Sequence, residues 1–246
     1  MRISEIFSTI QGEGPRVGSL TTFIRGGGCN LRCPGWGCDT LYSVLPEYSD
    51  QWGQMTPQQV MEEVLKYPGH HICLTGGEPL TQRSSDLEKL VGDLISSGYS
   101  IDLFTNGTQT LPSWTRSPAV TVVMDFKTPS SGEYNPTLTR EVYEDLQYKD
   151  ALKFVIDPDH EPDVTTLVEE IEELRRTKWD PPQVYVGTVW GKSTPKVVEL
   201  IQRLDLPVKL NVQTHAYIFP KGTDGTSDRN NQTEEVSVEM TTKETK

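Results

Sequence analysis

The 246-residue chain contains no apolar run near the roughly 20 residues that cross a bilayer. A membrane-spanning helix is therefore not expected. Positive charge is also scarce: 23 Lys and Arg stand against 35 Asp and Glu, a formal net charge of −12, with no basic stripe. Direct nucleic-acid binding needs clustered cations and is not expected either. An anionic small molecule stays open, because one buried arginine can hold a carboxylate. Cysteine is rare, with four residues, and three of them (Cys29, Cys33 and Cys38) fall on one short stretch. That odd, crowded set cannot build a disulfide framework and points to a reducing compartment and a metal site. The fourth, Cys73, lies in the apolar run Ile72-Cys73-Leu74 and reads as a small buried hydrophobe. Met1-Arg2-Ile3-Ser4-Glu5 lacks the apolar stretch of a signal peptide, so a soluble, cytoplasmic protein is expected.

What the sequence does have is alternation. Short runs rich in Val, Ile, Leu and Phe predict strands at Thr22–Arg25, His71–Thr75, Ser100–Phe104, Val120–Phe126, Ala151–Ile156, Gln183–Val189 and Val208–Gln213. Between them, Thr56-Pro57 opens a helix with Val60, Met61, Val64 and Leu65 on one face. Further helices are predicted from Asp86 to Ser97, around Val164–Leu174, and from Thr194-Pro195. This pattern implies an α/β fold, an open or incomplete barrel of mostly parallel strands with helices outside and ligands gathered where strands end. From Lys221 the apolar pattern stops, so the expected division is a core domain over 1–220 and a polar, disordered tail over 221–246.

The chemistry concentrates in Gly28-Cys29-Asn30-Leu31-Arg32-Cys33-Pro34-Gly35-Trp36-Gly37-Cys38-Asp39-Thr40, directly after a strand. Three thiolates on one loop can ligate three irons of a [4Fe–4S] cube and leave the fourth iron open. Zinc with Cys73 or a histidine as a fourth ligand is the alternative reading. Leu74-Thr75-Gly76-Gly77-Glu78-Pro79 ends another strand; its glycines could let a ligand approach the backbone. Arg25 closes an apolar strand near the cysteine loop and could hold a substrate carboxylate or a structural ion pair. His70, His71 and His160 read as surface or strand-edge residues.

The cysteine loop and the Gly-Gly-Glu-Pro turn together resemble the radical S-adenosylmethionine superfamily. Ile10-Gln11-Gly12-Glu13-Gly14, Phe23-Ile24-Arg25, Cys38-Asp39-Thr40, Thr105-Asn106-Gly107-Thr108, Lys127-Thr128-Pro129 and Gln213-Thr214-His215 narrow this. The chain is similar over residues 4–220 to the 7-carboxy-7-deazaguanine synthase family. The resemblance implies a carbon–nitrogen lyase that converts 6-carboxy-5,6,7,8-tetrahydropterin to 7-carboxy-7-deazaguanine with loss of ammonia, in queuosine-type biosynthesis. It implies Cys29, Cys33 and Cys38 as cluster ligands and Gly37, Cys38, Asp39, Gly77, Glu78 and Lys127 as the S-adenosylmethionine site. Ile10, Gln11, Gly12, Arg25, Thr75, His215 and Pro220 would meet the pterin substrate, and Thr40 would help hold Mg²⁺. An electron donor such as flavodoxin or ferredoxin and a homodimer are implied as partners.

The chain departs from the family in four places. Its cluster loop is C-x3-C-x4-C rather than C-x3-C-x2-C, and Gly37 replaces the aromatic residue before the last cysteine, with Trp36 one position earlier. Asp125-Phe126-Lys127 stands where the family has Ser-Pro-Lys, Ala216 follows His215 where many relatives have Lys, and the chain continues past Pro220. A glycyl-radical-enzyme activase shares the cluster and Gly-Gly-Glu elements and is the rival enzyme reading. A zinc-loop interaction module is the non-enzymatic one.

Overall fold

The computed structural model describes residues 1–218; Pro220 and the tail expected from 221 lie outside the described residues. Among these, the strands are β1 (Arg2–Ile10), β2 (Leu20–Gly26), β3 (Gly53–Gln54), β4 (His71–Gly76), β5 (Ser100–Thr105), β6 (Val120–Phe126), β7 (Ala151–Ile156), β8 (Gln183–Thr188) and β9 (Lys209–Leu210). They form one open sheet in the order β3-β1-β2-β4-β5-β6-β7-β8-β9. β1 pairs antiparallel with β2 and β3, and every pair from β2 to β9 is parallel. The expected incomplete β/α barrel is what forms.

Helices α1 (Leu41–Val44), α2 (Pro57–Val64), α3 (Ser84–Ser96), α4 (Pro136–Tyr143), α5 (Glu161–Thr177), α6 (Thr194–Leu204) and α7 (His215–Ile218) connect or follow the strands. Local chemistry fixes several starts. Thr56 and Gln59 make a reciprocal capping box at the head of α2. Asn135 Oδ1 accepts from Leu138 N at the head of α4. One face of the sheet joins Val60, Val64, Leu90, Leu94, Leu167, Ile171 and Val197 of the helices in the main core, through Ile72, Leu74, Ile101, Leu103, Val122, Met124, Leu152 and Phe154.

Strand periodicity turns the intervening residues to the opposite, inner face. There Val123, Ala151 and Tyr185 form a small separate apolar cluster with Phe104. Around it stand polar residues, including Arg25, Cys73, Thr75, Asp102, Asp125 and Lys153, brought side by side by the registers Arg25↔Thr75, Cys73↔Asp102 and Asp125↔Lys153.

Six elements differ from the sequence pattern. β1, β3, α1, α4 and α7 were not expected. β1 carries Arg, Ser, Glu and Thr among its apolar residues and is mostly half-buried, while α4 buries only Thr139, Val142 and Tyr143. The last strand was expected over Val208–Gln213 and spans two residues. The polar groups that follow it bond elsewhere, as described below. His71, expected at the surface or a strand edge, is buried at the start of a central strand.

The turn into β7 depends on Asp150, whose carboxylate accepts from Val122 N (2.8 Å), Gln147 N (2.8 Å) and Lys149 Nζ (3.0 Å). Asp150→Ala strands a buried N–H of β6 and should cost about 1–3 kcal/mol of stability by urea unfolding. An unchanged midpoint would show that the turn does not need this carboxylate.

Candidate active site

The cysteine loop leaves the end of β2 and returns at α1. Cys29, Cys33 and Cys38 are all reduced and partly buried, and Cys33 takes a left-handed conformation (φ 45°) that gives the loop its reversal. The loop docks along neighbouring strand ends. Asn30 Nδ2 donates to Thr108 Oγ1 (2.7 Å), Asn106 Nδ2 to Asn30 Oδ1 (3.0 Å), and the amides of Arg32 and Cys33 to Glu133 Oε1 (2.7 and 3.3 Å). Donors also point at sulfur: Leu31 N and Asn106 Nδ2 lie 3.4 and 3.7 Å from Cys29 Sγ. Thr40 Oγ1 is 3.5 Å from Cys38 Sγ. Burial pushes the Cys33 thiol up to about 11, with Lys127 opposing and the neighbouring Cys38 and Cys29 adding to the rise. Three thiols in one another's field, with N–H groups aimed at a sulfur, fit an iron–sulfur cluster, and loading one would release their protons. Among the described residues no three His, Cys, Asp or Glu side chains gather round a single-ion site.

The added residues of the widened loop sit on the turn after β6. A side chain on Gly35 would run into Ser130 O, and Gly35 N donates to Ser131 O (3.1 Å). Trp36 Nε1 donates to Ser130 Oγ (2.8 Å), and Lys127 Nζ lies 5.1 Å from the centre of the indole. Ser130 is itself held by Asp163 of α5, which accepts from its amide and its hydroxyl. Gly37 (φ 70°) and Asp39 are exposed on the returning arm.

The Gly-Gly-Glu-Pro turn performs a task its sequence did not announce. A Cβ on Gly76 (φ 126°) would strike Gly26, and one on Gly77 would strike Gly28 O. Gly77 N donates to Gly26 O (3.1 Å) and Glu78 N to Gly28 O (2.9 Å). The glycines thus let two backbones meet and seat the root of the cysteine loop on β4. Glu78 is 0% exposed and accepts from Leu80 N (3.0 Å), Thr105 Oγ1 (2.9 Å) and Asn106 N (2.7 Å).

Arg25 Nε donates to Glu5 Oε1 (2.7 Å), which also accepts from Tyr42 Oη (2.6 Å). The guanidinium lies over the rings of Phe7 and Tyr42. Of the two sequence readings for Arg25 an ion pair is present, and the residue also faces Thr75 across the ladder. Ile10 ends β1 opposite Leu20, at the other end of β2 from Arg25. The segment after it turns in over the inner face. Gln11 is 3% exposed and its Nε2 has no hydrogen-bond partner, as is true of buried Thr188 Oγ1 at the end of β8. Gly12 O accepts from Thr214 N (3.1 Å). His215 begins α7, and its side chain lies outside the described residues.

Sequence reasoning did not single out Glu13 and Lys153. Lys153 Nζ donates to Glu13 Oε2 (2.8 Å) and stands 3.1 Å from Asp125 Oδ1, while Lys127 Nζ donates to Asp125 Oδ2 (3.2 Å). Burial works against the Lys153 charge, and Asp125 and Glu13 more than restore it. The alternation of Ala151-Leu152-Lys153-Phe154 was the available signal, since it turns Lys153 to the face opposite Leu152 and Phe154.

Residues 10–116, which span the cysteine loop and the Gly-Gly-Glu-Pro turn, match the family model described as a 4Fe-4S single cluster domain. The chain is 33% identical over 221 residues to the 7-carboxy-7-deazaguanine synthase of Methanospirillum hungatei JF-1, covering 89% of this chain and 85% of that protein. The chain belongs to the 7-carboxy-7-deazaguanine synthase family. Other members named as this synthase are those of Thermoplasma acidophilum, 30% identical with 89% of this chain and 97% of that one covered, and Aquifex aeolicus, 34% identical with 71% and 73% covered. The crystal structure of QueE from Escherichia coli shares the family's fold with this chain, at a TM-score of 0.67 and 24% identity over 86% of this chain and 93% of that one.

Burial pushes the Glu78 carboxyl up to about 7 from its usual 4.5, against the pull of its backbone and hydroxyl donors. Between these values the folded state binds more protons than the unfolded one. Stability from this group therefore falls as pH rises through that window, then levels. Relative to Glu78→Gln, the wild-type apoprotein should lose unfolding free energy between about pH 5 and about pH 7.5. A difference between the two that stays constant with pH would refute the assignment.

Proposed function

We propose that this chain is a radical S-adenosylmethionine enzyme that converts 6-carboxy-5,6,7,8-tetrahydropterin to 7-carboxy-7-deazaguanine with release of ammonia. The observation that carries this reading is a family relationship spanning 89% of the chain, joined to a three-cysteine loop docked on the strand ends of an incomplete barrel. The product would enter 7-deazaguanine (queuosine-type) biosynthesis.

Cys29, Cys33 and Cys38 would hold the [4Fe–4S] cluster. With S-adenosylmethionine bound, that cluster supplies the radical chemistry, and the protein supplies position and electrostatics. Gly37, Cys38, Asp39, Gly77, Glu78 and Lys127 would form the S-adenosylmethionine site. Lys127 is suited to an anionic group there, because Asp125 keeps it charged despite burial, which works against it. Glu78 acts by holding the turn that carries Gly77 rather than by pointing a free carboxylate at a ligand.

Gln11, Arg25 and Thr75 would bind the pterin from the inner face, with Ile10, Gly12, His215 and Pro220 completing the site. The unpartnered, buried Gln11 Nε2 offers a donor to a heterocycle edge. Arg25, kept cationic by Tyr42, Glu5 and Asp39 against the cost of burial, offers a partner to the substrate carboxylate. Thr40 Oγ1 would contribute an oxygen ligand to Mg²⁺, a hard cation that suits such donors. A core domain of residues 1–220 with an accessory tail, a cytoplasmic homodimer and a flavodoxin- or ferredoxin-type electron donor complete the reading. No helix among the described residues is long and apolar enough to cross a membrane.

The direct test is anaerobic incubation of reconstituted protein with the carboxytetrahydropterin, S-adenosylmethionine, Mg²⁺ and a reductant. The deazaguanine carboxylate should form with one ammonia released for each product. An intact cluster that cleaves S-adenosylmethionine yet gives no such product would overturn the substrate assignment.

Two variants test the metal sites. Cys38→Ala should lose the iron, sulfide and visible absorbance that Cys73→Ala keeps, since Cys73 is buried mid-strand with its thiol pushed up by burial. Thr40→Ala should weaken the Mg²⁺ response of turnover more than it weakens pterin binding. An unaltered Mg²⁺ titration would remove Thr40 from the metal site.

A further inference from the structure

The segment between β1 and β2 closes on itself. Gln11 N donates to Ser19 O and Gly18 N to Gln11 O (both 2.8 Å), while Val17 N reaches Gly14 O and Ser19 N reaches Arg16 O. This small loop carries Gln11, Gly12 and Glu13 over the inner face, where Gly14 packs on Phe104 and Val123. Its own bonds fix its shape but not its position on the sheet.

Position comes from tethers to other elements. On one side Lys153 and Gln213 bond Glu13, and Asn211 Oδ1 accepts from Gly14 N (2.9 Å). On the other side Arg16 Nε donates to Asp102 Oδ1 (3.3 Å). Asp102 is 0% exposed, beside Cys73 in the ladder, and its second oxygen lies 3.1 Å from His71 Nε2. A carboxylate can only accept, so Nε2 donates to it, and His71 Nδ1 lies 2.8 Å from Ser100 Oγ, which holds the ring from its other side. Ser100, His71 and Asp102 all sit on rigid central strands. The arrangement therefore presents one aimed carboxylate oxygen to a loop arginine whose side chain is 40% exposed.

We infer that Arg16 and Asp102, with His71 orienting the carboxylate, are positioning residues that hold the Gln11–Glu13 segment in register with the pterin. The inference rests on the substrate reading above. None of the three touches the reacting atoms. Their effect is to spare the substrate the cost of ordering the loop when it binds, and such preorganisation governs affinity more than turnover.

The test uses the reconstituted holoenzyme with Arg16→Ala, Arg16→Lys and Asp102→Asn. Arg16→Ala and Asp102→Asn should raise the KM for 6-carboxy-5,6,7,8-tetrahydropterin about tenfold. In both, kcat and the KM for S-adenosylmethionine should stay within about twofold of wild type. Arg16→Lys should recover part of the loss. Hydrogen exchange at the amides of residues 14–19 should quicken in Arg16→Ala and Asp102→Asn without any substrate present. A pterin KM unmoved in Arg16→Ala would overturn the positioning role even if exchange quickens, and unmoved exchange would overturn the anchoring itself. Should Asp102→Asn fail to fold, partly exposed Arg16 still decides the matter. Wild-type enzyme that ignores the pterin would sink the substrate reading instead, and exchange would still decide whether Arg16 anchors the loop.

Discussion

The site depends on one close approach of backbone to backbone. Gly26 to Gly28, leaving β2, lie against Gly76 to Glu78, leaving β4, so tightly that neither Gly76 nor Gly77 has room for a methyl group. This seam roots the cysteine loop on the neighbouring strand. Glu78 then carries the tie one strand further by accepting from the end of β5. A change in either glycine would move the cysteines as a group relative to Arg25 and Thr75. The placement of the thiols is therefore a property of the sheet, transmitted by hydrogen bonds between peptide groups.

Much of this was legible in the sequence, for reasons that can be named. Strands buried in the main core write themselves as Val, Ile, Leu and Phe runs, and six of the seven expected strands, β2 and β4 to β8, occur within two residues of their predicted ends. The cysteine spacing and the Gly-Gly-Glu-Pro turn pointed to the proposed site because metal ligation and close approach to a backbone each restrict residue type, although the turn's contact with the root of the cysteine loop was not foreseen. β1 was hidden because it lies near the sheet edge and needs little apolar character. The last strand was overread because Asn211, Gln213 and Thr214, which look like its continuation, bond the loop after β1. The Lys153–Glu13 pair joins residues 140 positions apart, a distance no local pattern can report. His71 looked peripheral because histidine usually is; its burial follows from Asp102, a partner on the adjacent strand.

The inner face carries opposed charges on largely buried side chains. Each buried cation there has a carboxylate at hydrogen-bond or ion-pair distance: Arg25 with Glu5, Lys153 with Glu13 and Asp125, Lys127 with Asp125. Burying such charges is costly, and it is tolerated because each is paired and aimed. A chain with net charge −12 thereby keeps three cations side by side with their carboxylates on one face of its sheet. Overall charge and local charge are independent quantities here.

The widened cysteine loop has a temporal side. Its added residues rest on Ser130, and Ser130 is fastened by Asp163, more than a hundred residues beyond the last cysteine of the loop in all. While the polypeptide is being made, the three thiols leave the ribosome long before the surface that shapes their loop exists. Iron offered at that stage would meet an unshaped thiol tract, open to oxidation and to competing metals. The docked geometry becomes available only once the second half of the sheet is in place, so orderly cluster loading belongs to the finished fold.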